Sequence, residues 1–351
     1  METGAKSNLG KLSILSILLI MSVLHPDIWF LEALPGNQTD FLQELTSIFL
    51  SIIIEAFPLV LLGVIISSFI HVFISDTTIH RLLPRNSMIG IVCGSLLGIF
   101  FPLCECGIIP IVRRLIQKGV PAYIAVPFML SAPVINPLVG FSTYLAFNSS
   151  PSMLVYRFAG VFICANLIGI LLYSSNVNSK ILNPYTADPG CGCHQGCGCG
   201  HEHHHPGLLM RLREMLYHTC DEFFDMGRFL LIGSFLAAVI QITVPRTLLL
   251  SVGQEPVVSI WGMMGFAFIL SVCSQADAFI AAPFAASFTP GAIASFLIYG
   301  PMLDIKNVIM MLNAFRVSYV MKLVLLITIS VFLLSLLINC LPYFREVFGF
   351  V

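Results

Sequence analysis

The sequence predicts an all-α polytopic membrane protein: two broken-helix repeats of inverted orientation, joined by a disordered, Cys/His-rich tether. Three observations predict it. The 351 residues are 57% hydrophobic and 10% charged, with a mean hydropathy of +0.93, whereas a water-facing domain needs roughly 25% charged residues. Apolar runs recur near the ~20 residues that cross a bilayer as helix, without the alternation of a membrane β-barrel. Segments broken by Pro and Gly occur twice, at matching spacing. The net charge of -1 excludes nucleic acid as a partner. The partner expected first is the lipid bilayer.

Lys6 and Lys11 precede LSILSILLIMSVL, and no small-residue cleavage site follows. The HPDIWFLEALPG stretch reads as interfacial, with Trp29 as anchor, so 12–30 is expected to be an uncleaved first helix. Further apolar segments lie at 46–74, 88–103, 120–131, 134–147 and 153–173. After the tether they recur at 216–244, 257–272, 276–288, 291–299, 302–315 and 317–341. Several are too short to span ~30 Å at about 1.5 Å per residue. The expected organisation is a helix and external loop at 1–40, then a first membrane repeat with a connecting helix at 41–174. The tether follows at 175–210, and a second repeat with a C-terminal helix at 211–351.

The short segments carry the repeat. LLGVIISSFIHVFI, FFPLCECGIIP and VPAYIAVPFMLSAPVINPLVG are followed in the second half by LLIGSFLAAVIQITV, ILSVCSQADAF and TPGAIASFLIYGPMLDIKNVI. Gly63 and Gly233 lie 170 positions apart, Cys104 and Cys273 169, Pro121 and Pro290 169, and Pro133 and Pro301 168. Asn136 and Asp304 keep a spacing of 168. Pro and Gly free backbone groups that hydrocarbon cannot satisfy, so such breaks survive where they line a cavity or are buried in protein. Matched breaks in two halves point to a transporter site near the midplane, with Pro-kinked packing helices as the plain alternative. Lys and Arg placement puts the N-terminus, Arg81, Arg85 and the tether, flanked by Lys180, Arg211 and Arg213, on the cytoplasmic side. Arg113, Arg114 and Lys118 join them if 88–110 is re-entrant.

Four groups of residues could carry chemistry. In PLCECG, Cys104 and Cys106 offer two soft thiols around Glu105. A helix sends residues two apart to different sides, whereas an unwound stretch between Pro102 and Gly107 lets both sulfurs converge. Thiolates select Cu(I), Zn(II) or a trivalent arsenic centre over hard cations. A carboxylate between them is costly in lipid and marks function, although Cys also serves membrane helices as small apolar filler. The corresponding SVCSQADAF supplies Cys273, Ser274, Gln275 and Asp277, giving three thiols from two loops. Asn136, Asp304, Lys306 and Asn307 follow the paired breaks, Asp304 as a candidate proton carrier or cation ligand, or as half of an interfacial ion pair with Lys306. Glu55 and Asp225 are further intramembrane carboxylates, and Arg228 stands one turn from Asp225.

The tether holds two Cys-Gly-Cys units and a His-rich run: Cys191, Cys193, His194, Cys197, Cys199, His201, His203, His204 and His205. Gly lets alternate thiolates turn toward one ion, and a segment this poor in apolar residues orders only around metal. Four thiolates suit Zn(II) or Cu(I), and the imidazoles also admit Ni(II).

The pair FPLCECGIIP and SVCSQADAFIAAPF, with SAPVINP and YGPMLDIKN, resembles the predicted-permease family that includes the organoarsenical efflux permeases, over about residues 40 to 340. The inserted tether is similar to that of the subgroup described as copper/zinc efflux transporters of Gram-negative bacteria. The resemblance implies a multi-pass inner-membrane exporter without an ATPase domain, and it carries the thiol motif onto Cys104 and Cys106. In organoarsenical permeases small hydroxyl residues flank the first Cys. Leu103 and Glu105 stand there here, which moves the expectation toward a cationic metal. The expected function is therefore secondary export of Cu(I) or Zn(II), not enzymatic catalysis. Cys104, Cys106 and Cys273 would bind the ion, while Glu105 and Asp304 neutralise charge or carry protons. The tether would collect metal from a cytoplasmic donor, and no tightly bound cofactor is expected. Export of trivalent arsenicals and a membrane metal or redox sensor stand as alternatives.

Overall fold

The computed structural model describes residues 38–73, 84, 86–100, 103–147, 151–175, 181–182, 208–243, 255–285 and 287–340. The expected first helix, nearly all of the tether including its nine metal-ligand candidates, and Pro102 lie outside the described residues. The chain divides into Met1–Ile48 and Phe49–Val351. Of the first unit, the described part is the beginning of a helix in which Thr46 Oγ1 donates to the Leu42 carbonyl at 2.7 Å.

The regular secondary structure of the described residues is helical, apart from an isolated bridge between Leu182 and Phe315. The first six described helices are α1 (Gln38–Phe73), α2 (Ser87–Leu97, continued by a 3-10 turn at Gly98–Phe100), α3 (Glu105–Gln117), α4 (Ala122–Ser131), α5 (Pro137–Ala146) and α6 (Pro151–Ser174). The next six are α7 (Leu208–Thr243), α8 (Pro256–Leu270), α9 (Asp277–Ala281, with a 3-10 turn at Ala282–Phe284), α10 (Pro290–Met302), α11 (Ile305–Ala314) and α12 (Val317–Cys340). The outer pair α1 and α7 has 36 residues in each member, α5 and α11 have 10, and α6 and α12 have 24.

Local chemistry sets these boundaries. Asn136 caps α5 by accepting the Val139 N–H at 2.9 Å, and Asp304 caps α11 by accepting the Asn307 N–H at 2.6 Å. Thr289 caps α10, and Pro290 occupies its first turn, where a missing N–H costs nothing. The turn between α3 and α4 uses Gly119 at φ 90, a conformation in which a Cβ would be strained. α8 ends on Ser271 in the left-handed region, and the chain then runs without helix to Cys273.

Among the described residues, five stretches are long and apolar enough to cross a membrane: Phe41–Phe73, Pro151–Ser174, Leu212–Thr243, Pro290–Ala314 and Val317–Cys340. In the first, 28% of the most apolar window is buried, so most of its surface is left for lipid; in Pro290–Ala314 the share is 83%. That inner span is α10 and α11 joined at the extended residues Leu303 and Asp304, so a broken segment sits at the centre and long helices lie outside it. α1 and α7 run antiparallel, with Phe49 on Phe235, Phe57 on Phe223 and His71 on His218. α6 and α12 are antiparallel too: Gly160 meets Leu334, and the chain just beyond α6 bridges to Phe315 before α12. α3 packs on α11, and α9 packs on α5.

One expectation needs correction. The Cys-x-Cys stretch is not unwound as far as Gly107: Cys104 is extended, at φ -76 and ψ 168, and α3 begins at Glu105. The helix then carries Pro110 inside it. Gly107 is needed for closeness instead, since its carbonyl lies 2.2 Å from where a Cβ on Gly63 would stand, so α1 crosses α3 backbone to backbone.

Candidate substrate site between the broken helices

Because Cys104 lies just outside α3 and Cys106 in its first turn, the two thiols come into contact with each other. The Cys106 and Gly107 amides also turn toward the Cys104 sulfur. An extended cap followed by a helical residue thus achieves what an unwound loop was expected to do. Glu105 is 2% exposed, and its Oε1 lies 3.9 Å from Lys306 Nζ. Lys306 also reaches Asp304 Oδ2 at 3.5 Å, and its charge is felt by both thiols. The structure therefore brings the buried Glu105, Cys106, Asp304 and Lys306 and the partly buried Cys104 into one cluster, with α3 facing the first turn of α11. A charge in this setting is tolerated only when paired, because desolvation costs several kcal/mol per ion. Here the pairing is loose. Glu105 Oε2, Asp304 Oδ2 and Asn307 Oδ1 are buried without a hydrogen bond.

Cys273 stands apart from the thiol pair. It lies beside the Glu55 carboxyl, with Glu105 the next charge in range. Gln275 is exposed. Among the described residues, no three His, Cys, Asp or Glu side chains converge as a metal site would require. The expected three-thiol centre is not assembled in this conformation.

Asp277 and Asn136 belong to a second cluster. Arg157, completely buried in the middle of α6, holds Asp277 Oδ2 at 2.7 Å, the Ser274 carbonyl at 2.8 Å and Thr143 Oγ1 at 2.8 Å. Ser274 Oγ donates to the Pro133 carbonyl at 2.8 Å, which Asn136 Nδ2 also reaches at 3.3 Å. Sequence reasoning passed over Arg157, although a lone Arg in a 24-residue apolar helix is itself a signal. A third polar group joins the C-terminal end of α3 to α7. Arg114 pairs with Glu222 at 3.6 Å, Arg113 with Asp225 at 3.8 Å, and Ser67 Oγ donates to Glu222 at 2.9 Å. Asp225 also binds Arg228, as their spacing predicted, and accepts from Asn313.

Beside the thiol cluster is a small crevice, sized for about one water-like species. It is lined by Glu105, Asn307, Met129, Met302, Met311 and apolar neighbours. The arrangement can present sulfur and oxygen donors to a small cation, or two thiols to a larger soft centre.

The sequence model of the family described as predicted permease (ArsP_1) matches residues 41–340. The UPF0718 protein YcgR of Bacillus subtilis (strain 168) is 46% identical over 302 residues, covering 86% of this chain and 99% of that protein. A protein of Streptococcus mutans named a putative two-component membrane permease complex subunit is 44% identical over 278 residues, covering 79% of this chain and 89% of its own length. No solved structure matches the chain.

Proposed function

The chain belongs to the predicted-permease family, and on that premise we propose that it is a secondary transporter exporting a soft metal ion, Cu(I) or Zn(II). The single observation that carries this reading is the contact of a partly buried thiol, Cys104, with the buried Cys106, beside a buried Glu105 set against Asp304 and Lys306, where two broken segments meet. Lipid does not retain such a group of donors and charges for packing alone. The equal lengths of three helix pairs at matching positions and the antiparallel α1/α7 and α6/α12 pairs support reading the halves as inverted repeats. Rocking one half on the other around the site would give alternating access. Closure would bring Cys273 toward Cys104 and Cys106. The membrane is the cell's inner one, and the tether between α6 and α7 is a cytoplasmic collector presenting metal from a donor. From the name of the streptococcal relative we extend to this chain a second membrane component as partner.

The touching thiol pair also suits a trivalent arsenical, which is the second reading. The deciding experiment measures cell copper, zinc and arsenic in a host lacking its own exporters. It compares wild type, Cys104→Ser/Cys106→Ser, and a chain with residues 191–205 replaced by Gly/Ser. Metal export lost in the thiol variant and merely weakened in the tether variant is the expected result. Protection against arsenicals alone would transfer the function to that substrate.

A further inference from the structure

We infer that the crevice beside Glu105 is a thioether subsite for a soft monovalent cation, Cu(I), whose chemistry Ag(I) shares; this deepens the export reading and rests on it. Three of the nine lining residues are methionines, whereas 14 of the 351 residues of the chain are, a proportion that would put fewer than one there. Met129 comes from α4, Met302 from the end of α10 and Met311 from α11, so both broken segments contribute, and all three are buried. Methionine also fills irregular cores, and by itself would say no more.

Two further observations point to a ligand. Glu105 and Asn307, 2% and 4% exposed, line the same crevice and each holds a buried oxygen without a hydrogen-bond partner. A native core leaves such atoms unsatisfied only rarely, and a cation would satisfy both. The charges agree as well. With Glu105 ionised and both thiols protonated, Glu105 and Asp304 against Lys306 leave one negative charge, which a monovalent cation cancels and a divalent one overshoots in a low-dielectric setting. Thioethers accept Cu(I) and are poor ligands for the harder Zn(II). Space for about one water-sized species suits a bare ion better than an organic arsenical.

The test uses the full chain in detergent, with the tether Cys and His residues replaced by Ser so that only membrane sites bind, and Ag(I) as an air-stable probe. Met129→Leu/Met302→Leu/Met311→Leu conserves volume. The expected result is the loss of one bound Ag(I) equivalent and at least a tenfold fall in copper and silver export, with unchanged thermal unfolding. Should the triple variant fail to fold, selenomethionine labelling of the otherwise unaltered chain replaces it: Cu(I) should then show selenium neighbours by X-ray absorption. Ag(I) binding unaffected by the three substitutions, or copper without selenium neighbours, overturns the subsite. Export of zinc but neither copper nor silver also overturns it and leaves the export reading standing. If the wild type moves no metal, the export reading fails, and the silver count alone then decides whether the crevice binds a soft monovalent ion.

Discussion

The Arg157 cluster and the Lys306 cluster each hold a buried cation beside a carboxylate at a break, yet they are built differently. Arg157 reaches its three oxygen partners within 2.8 Å and ties α6 to the chain before α9 and to α5. Its planar fork matches several acceptors at once, as a clamp requires. Lys306, a point charge on a flexible stem, stands 3.5 and 3.9 Å from its two carboxylates; carboxylate oxygens without a hydrogen bond remain in both clusters, so the distances carry the contrast. A tightly bonded buried pair holds structure, while a loose one can exchange partners without the fold having to change. On the proposed export reading, the difference fits scaffold to one cluster and substrate handling to the other.

The largest effect should come from Arg157→Met, which strands Asp277 in the interior. Removing one partner of a buried pair costs about 3–5 kcal/mol, so this variant should lose most of its folded yield in detergent. Arg157→Met with Asp277→Leu should recover much of that yield, because apolar residues of similar volume can replace a buried pair. Lys306→Met also leaves two buried carboxylates without their cation, but from contacts of 3.5 and 3.9 Å rather than 2.7 Å, so it should lose less folded yield than Arg157→Met while transport falls more than tenfold. Equal loss of yield in the two Met variants would break the comparison.

Next in size is Gly63→Ala, whose new Cβ would collide with the Gly107 carbonyl and push α1 off α3 at the thiol motif. Overpacking of this kind costs about 1–3 kcal/mol, and thermal unfolding in detergent should show it together with reduced transport. Gly265→Ala, with open space around it, is the control that should leave both unchanged. Asn136→Ala removes a helix cap and should cost ~1 kcal/mol. The smallest stability change should follow Asp304→Asn, since Asn caps as well as Asp. That variant sharpens the comparison most, because its transport should fall while its melting temperature stays near wild type. Intact transport would show that Asp304 is a cap and nothing more.

Much of this was legible in the chain because the information is local. Hydropathy set the class, Pro and Gly marked the breaks, and Asn136 and Asp304 were placed directly after them, although their role as helix caps came only from the structure. Glu105 stood out as a carboxylate in an apolar run. The helix beginning at Glu105 was not legible, since Pro102, Gly107 and Pro110 all argue against one. Tertiary packing overrides that preference by seating α3 against Gly63 and Ser67 of α1.

The sequence by itself determined a helical membrane chain, the places where its helices break, and the thiol motif through which it resembles its family. Only the tertiary structure decided that Asp277 belongs to Arg157, that Cys273 keeps company with Glu55, and that three methionines share a crevice with Glu105. The physical reason is range. Transfer free energy and backbone preference act within a few residues, whereas Arg157 and Asp277 are 120 positions apart and meet only because the intervening helices pack.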